Sequence, residues 1–199
     1  MSRQNNALPQ MVEPLWSTYI HQKGARLGLP VTGTFELTPR CNFNCNMCYV
    51  HQTEAQAAQG GRRELTTAEW LAIAEEARKA GMVFLLLTGG EPLLRPDFPE
   101  LLHALKNMGF LVSVNSNGSL LRGELLEAVK QDPPLRFNIT LYGGSNATYE
   151  RLCGRAMFQE VVDNLRALKD AGIPVRLNVS VTPDNKDDVP EIFRLAREL

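Results

Sequence analysis

The chain has 199 residues, enough for one well-buried domain, and its 44% hydrophobic and 22% charged residues are ordinary for a water-soluble domain. Its 21 lysines and arginines nearly balance 22 aspartates and glutamates, so no strongly basic surface points to a nucleic acid or an anionic membrane. No apolar run approaches the roughly 20 residues that span a bilayer, and the opening MSRQNNALPQMVEPLW lacks the basic-then-apolar order of a secretory signal, so a cytoplasmic location is expected.

Residues 1–32 are broken by Pro9, Pro14, Gly24, Gly28 and Pro30 around a short helical stretch near Leu15 to Gln22, and they read as an N-terminal extension. From residue 33 to 199 one unit recurs: an amphipathic helix, a glycine, a β-rich apolar run and a polar loop. The first predicted strand is Thr34 to Thr38. Thr66 with Glu69 then has the spacing of a capping box, and Leu65 with Trp70 that of a hydrophobic staple. That helix ends in ARKAG at Gly81 and is followed by the strand VFLLLTG. Asp97 with Glu100 repeats the box, and ALKNMG leads through Gly109 into LVSVNSNG. The run from Arg136 to Gly143 is the fourth strand, and ALKDAG at Gly172 introduces the fifth, VRLNVSVTP. Several of these runs are apolar at nearly every position, as strands buried on both faces are. An amphipathic helix from Val189 to Leu199 closes the sequence.

Strands alternating with helices predict an α/β fold with a parallel sheet and right-handed crossovers. Periodicity alone leaves open whether that sheet is flat or rolled into a barrel. A barrel closed by five strands would be unusual, so the expectation is an open sheet or part of a longer protein.

Chemistry concentrates at Cys41-Asn42-Phe43-Asn44-Cys45-Asn46-Met47-Cys48, just after the first strand, where α/β folds build their sites. Disulfides among cysteines so close would force strained loops. The C-x3-C-x2-C spacing supplies three thiolates to a four-iron cubane and leaves one iron without a protein ligand. An open metal position marks catalytic rather than structural sites. Two plainer readings stand beside it: a zinc site completed by His51, and an electron-transfer cluster, which would need a fourth cysteine. Cys153 is far away in sequence. His21 and His103 read as structural.

Glu36-Leu37-Thr38-Pro39-Arg40 followed by the cysteine triad resembles the opening of the radical S-adenosylmethionine (radical SAM) enzymes. The resemblance implies a 4Fe-4S cluster on Cys41, Cys45 and Cys48 whose fourth iron chelates the methionine end of S-adenosylmethionine. It further implies reductive cleavage to methionine and a 5′-deoxyadenosyl radical that abstracts hydrogen from a substrate. Thr88-Gly89-Gly90-Glu91-Pro92 ends the second strand and resembles the family's GGEP segment, placing Gly89, Gly90 and Glu91 at the cofactor's amino group. By the same likeness Asn117 closes strand three near the cofactor, Thr140 offers a hydroxyl to its ribose, and Asn178 and Ser180 add polar contacts. Met47, with Tyr49 beyond it, stands where the family often has an aromatic residue against the adenine. An arginine that related enzymes use for the cofactor's carboxylate aligns with Cys153, leaving Arg151 or Arg155 as substitutes.

The fold implied by the resemblance is a partial (β/α)6 TIM-like barrel, of which five βα units are present. Likeness is closest to peptide- or protein-modifying members with a C-terminal auxiliary-cluster (SPASM-type) domain, whose cysteines this sequence lacks. The implied partners are S-adenosylmethionine, an electron donor such as a flavodoxin or ferredoxin, and a peptide or protein substrate. The alternative from another class is a non-catalytic zinc or iron-sulfur module serving structure or sensing.

Overall fold

The structure, a computed structural model, describes residues 15–48 and 63–199. Helix α1 (Leu15–Leu27) is followed by strand β1 (Thr32–Glu36), helix α2 (Thr67–Lys79), strand β2 (Phe84–Thr88), helix α3 (Phe98–Asn107), strand β3 (Leu111–Ser116) and helix α4 (Gly123–Gln131). Strand β4 (Arg136–Thr140), helices α5 (Asn146–Cys153) and α6 (Phe158–Asp170), strand β5 (Val175–Asn178) and helix α7 (Val189–Glu198) complete the described order.

The five strands form one parallel sheet in the order β1-β2-β3-β4-β5. Successive parallel neighbours joined by right-handed crossovers put their helices on one face, the winding that β/α barrels use. Among the described residues β1 and β5 each pair on one side only, so the sheet is open.

The faces differ. Leu85, Leu87, Val112, Val114, Phe137 and Ile139 are buried beneath the helices and form the centre of the core. The opposite face carries Thr34, Glu36, Leu86, Thr88, Ser113, Asn115, Asn138, Thr140, Arg176 and Asn178, most of them only half-buried or exposed. The expectation of strands buried on both faces is therefore corrected. Among the described residues α1 covers the lower end of the second face: Trp16 and His21 stack on Phe84 at ring separations of 5.9 and 4.7 Å, and His21 Nε2 lies 3.0 Å from Thr32 Oγ1.

Local signals fared differently from one another. Thr66 and Glu69 form the expected capping box of α2. Asp97 makes no side-chain cap at α3, because Arg95 at 2.9 and 2.6 Å and the Thr67 hydroxyl at 2.6 Å take its carboxylate first. Strand β1 starts and stops two residues earlier than expected, since Leu37 to Arg40 leave the ladder to cross the end of β2. Helix α1 runs on to Leu27, past the expected Gln22, with Gly24 inside it where a Cβ would lie 2.5 Å from a Val31 methyl group.

Candidate cluster and cofactor site

The cysteine loop leaves the sheet at the C-terminal end of β1. Its entry is cinched by Glu64, which accepts hydrogen bonds from Thr38 Oγ1 (2.5 Å), Arg40 Nε (2.7 Å) and Arg40 Nη2 (3.1 Å) and lies 3.6 Å from the buried Arg95 guanidinium. Partial burial pushes the Glu64 carboxyl up, but those hydrogen bonds and the two arginine charges hold it below its ordinary value. Arg95 also donates to the Leu37 carbonyl at 3.2 Å, so one guanidinium spans the ends of β1 and α3.

Each residue between the cysteines has a structural task. Asn42 Nδ2 donates to Ser119 Oγ (2.8 Å) and its oxygen accepts from Asn117 Nδ2 (2.9 Å), tying the loop to the end of β3. Phe43 is buried and meets Tyr142 and Tyr149 edge-on at 6.0 and 6.4 Å, which gives the loop an aromatic floor. The Asn44 and Asn46 amides donate to the Cys153 and Leu152 carbonyls, both at 2.9 Å, so the loop also satisfies carbonyls at the C-terminus of α5. Met47 is half-buried against the core.

None of the four cysteines is in a disulfide. Burial pushes the Cys41 thiol up to about 11; the Phe43 amide and Asn117 Nδ2, 3.4 and 3.8 Å from its sulfur, oppose the shift. Cys45 is held below its ordinary value first by the Cys153 thiol and then by the Tyr142 hydroxyl, against the effect of burial. Cys48 is exposed. Among the described residues no three His, Cys, Asp or Glu side chains gather closely enough to share one metal ion. Cys45 lies beside Cys153 as well as near Cys41. The donor set itself fits an iron-sulfur cluster: three thiols on one eight-residue loop. Tyr49 and His51 lie outside the described residues.

The GGEP segment meets this loop backbone to backbone. Gly90 N and Glu91 N donate to the Thr38 and Arg40 carbonyls at 2.7 and 2.8 Å. Gly89 adopts φ 140°, open to glycine alone, and Cβ atoms at Gly89 and Gly90 would lie 2.4 Å from Thr38 O and 2.2 Å from Arg40 O. Glu91 is fully buried, its carboxylate accepting from Ser116 Oγ (2.9 Å), Asn117 N (2.8 Å) and Leu93 N (3.1 Å). Desolvation raises its pKa to about 7 against those hydrogen bonds. In this structure Glu91 is a strut between the ends of β2 and β3.

The fold thus brings Cys41, Cys45, Gly89, Gly90, Glu91 and Asn117 together across three strand ends. Thr140, half-buried, and Asn178, exposed, pair in register at the ends of β4 and β5, and Ser180 is exposed just beyond. Arg151 Nη2 donates to the Asp184 carbonyl at 2.6 Å. Sequence reasoning missed the Phe43–Tyr142–Tyr149 floor, the Glu64–Arg95 cinch and the approach of Cys153. A signal for the floor was present in the tyrosines seven residues apart at Tyr142 and Tyr149, which flank the turn into α5.

Residues 35–196 match the Radical SAM superfamily. A probable GTP 3′,8-cyclase of Saccharolobus solfataricus is 33% identical over 177 residues, covering 87% of this chain and 56% of that protein. An AdoMet-dependent heme synthase of Methanosarcina barkeri is 31% identical over 166 residues, covering 83% and 46%. The chain therefore spans about half the length of the curated relatives it matches. Among solved structures, Streptococcus suis SuiB bound to its precursor peptide SuiA superposes with a TM-score of 0.74 at 16% identity, covering all of this chain and 45% of that one. The FeFe-hydrogenase maturase HydG from Carboxydothermus hydrogenoformans gives 0.64 at 16% identity, covering 94% and 47%. With that match spanning most of its length, on a singly wound parallel sheet, the chain belongs to the radical SAM superfamily, whose enzymes use a 4Fe-4S cluster and S-adenosylmethionine.

Proposed function

We propose that Cys41, Cys45 and Cys48 hold one 4Fe-4S cluster, and that Gly89, Gly90, Glu91 and Asn117, with Met47, Tyr49, Thr140, Asn178 and Ser180 around them, bind S-adenosylmethionine beside it. The observation that carries this reading is the meeting of an all-thiol loop with the Gly89–Gly90 backbone, joined by hydrogen bonds at 2.7 and 2.8 Å. When bound, the cluster supplies the electron that cleaves the cofactor, whose 5′-deoxyadenosyl radical abstracts hydrogen from a substrate. This chain's own residues position and shield the pair. Glu91 and Asn117 fix the ends of β2 and β3, Glu64 and Arg95 fix the loop's entry, and Phe43, Tyr142 and Tyr149 exclude water from below. Residues 33–199 are the core unit, and 1–32 an extension. The electron comes from a small donor protein such as a flavodoxin or ferredoxin.

For the substrate, the polar face of the sheet supports a hydrogen-bonding molecule. Glu36 pairs with Thr88 across that face, and Asn138 pairs with Asn115 on one side and Arg176 on the other. The relatives above 30% identity are named for GTP and heme chemistry, which favours a small molecule. A peptide substrate rests on SuiB, whose likeness here is one of fold.

The test is anaerobic reconstitution with iron and sulfide, followed by reduction with S-adenosylmethionine present. The wild type is expected to form 5′-deoxyadenosine, and Ala at Cys41, Cys45 or Cys48 to abolish it. A chain that takes up zinc in place of iron, or forms no 5′-deoxyadenosine, is a structural or sensing module instead.

A further inference from the structure

The fold places a fourth sulfur at the cysteine loop. Cys153 is fully buried at the last turn of α5, and its thiol faces Cys45. The juxtaposition is built into the backbone: the residues on either side of Cys45 donate to the Cys153 and Leu152 carbonyls at 2.9 Å, and Asn46 Nδ2 adds a bond to the Arg151 carbonyl at 3.0 Å. Three hydrogen bonds therefore hold Cys45 and Cys153 side by side without metal. Gly154 caps α5 with φ 70°, and Cys153 is the last residue of the helix.

We propose that Cys45 and Cys153 form a reversible disulfide when the protein has no cluster, closing the site to iron until the bond is reduced. The inference rests on the reading of Cys45 as a cluster ligand. Cys45 is the accessible partner and Cys153 the buried one, which sets the order of events. The Cys45 thiolate attacks a low-molecular-weight disulfide such as glutathione disulfide, forming a mixed disulfide and releasing one glutathione thiolate. Cys153 then gives up its proton and attacks the Cys45 sulfur, releasing the second glutathione. Two protein thiols are oxidised, one small disulfide is reduced to two thiols, and the protein's two protons leave on them. In the oxidised chain only Cys41 and Cys48 of the triad remain as thiolates, fewer than the cluster needs. With the cluster in place Cys45 is occupied and the exchange has no attacking thiolate. Cys153 itself stays outside the ligand set.

The experiment oxidises metal-free protein with glutathione disulfide, alkylates the remaining thiols and locates the cross-link by tandem mass spectrometry. A Cys45–Cys153 bond with Cys41 and Cys48 alkylated is expected, together with loss of cluster uptake that a dithiol reductant restores. A bond within the Cys41–Cys48 loop, or glutathione left on Cys45 with Cys153 alkylated, would overturn the proposal. Cys153→Ser is expected to load iron and sulfide as the wild type does and to form no internal cross-link; a Cys153→Ser protein that fails to load makes Cys153 a ligand and also overturns it. Cluster-loaded wild type is treated in parallel, with iron and sulfide measured before and after. Formation of the bond with all iron retained would remove Cys45 from the cluster and contradict the proposed function, leaving the thiol pair standing.

Discussion

The two sides of the site are built to different standards. At the ends of β1, β2 and β3, Glu91 and Asn117 are buried, every hydrogen-bonding atom of the Glu91 carboxylate has a protein partner, and the Gly89–Gly90 backbone is pressed against Thr38 and Arg40. At the ends of β4 and β5, Thr140 is half-buried, Asn178 is exposed, and Val179 and Val181 face solvent at 36% and 61%. The first side is preorganised by the protein alone. On the second, few neighbouring groups among the described residues hold these side chains in place.

The sharpest way to break that contrast is Gly90→Val. Its Cβ would sit 2.2 Å from the Arg40 carbonyl, next to Cys41, so both the strand end and the cluster loop must move. The expected result is destabilisation by about 3 kcal/mol, at the upper end for overpacking, with loss of cluster uptake; thermal unfolding and iron content measure these. A variant that loaded normally would show that the backbone contact is dispensable.

Glu91→Gln comes next. A carboxyl whose folded pKa is about 7, above its ordinary 4.5, holds its proton longer in the native than in the unfolded chain. The unfolded state then binds fewer protons, so the stability of metal-free protein falls as pH rises from about 4.5 to about 7 and levels off beyond. At roughly 1.4 kcal/mol per pKa unit, the fall is on the order of 3 kcal/mol. Denaturant titrations across that range are expected to show this slope in the wild type and its absence in Glu91→Gln. Equal slopes in both would assign the pH dependence to other groups.

Glu64→Gln has a smaller expected effect, about 1 kcal/mol, because Glu64 is partly exposed and solvent screens its ion pairs. Its signature is faster amide exchange at Leu37 to Cys41 with the rest of the sheet unchanged. Least of all, Thr140→Ala is expected to alter stability by less than about 0.5 kcal/mol while weakening S-adenosylmethionine binding, since Thr140 is only half-buried at the strand end. Unchanged affinity by equilibrium dialysis would take Thr140 out of the cofactor site.

How far these features were legible in the sequence depends on how local their causes are. The Thr66–Glu69 box needs only residues three apart and formed as expected, whereas the same spacing at Asp97 yielded to Arg95 and Thr67, partners that only the fold supplies. The cysteine spacing and the two glycines were visible as motifs, but their reason was not. The glycines are needed where two strand ends touch, and Glu91 accepts hydrogen bonds from the end of β3, a partner that only the fold supplies. Cys153 is more than a hundred positions from Cys45 along the chain, and the crossover from β4 through α5 brings the two together. Alternating burial escaped notice because strands such as FLLLT are apolar at most positions, leaving no period to read.

The central claim, a cluster on the preorganised side with an iron open to the cofactor, is tested most directly by electron paramagnetic resonance of the anaerobically reconstituted, reduced protein before and after addition of S-adenosylmethionine. The expected result is a reduced 4Fe-4S signal that changes when the cofactor binds and that is absent from the Cys41, Cys45 and Cys48 alanine variants. A signal unmoved by the cofactor, or one that survives loss of any of these thiols, would contradict it.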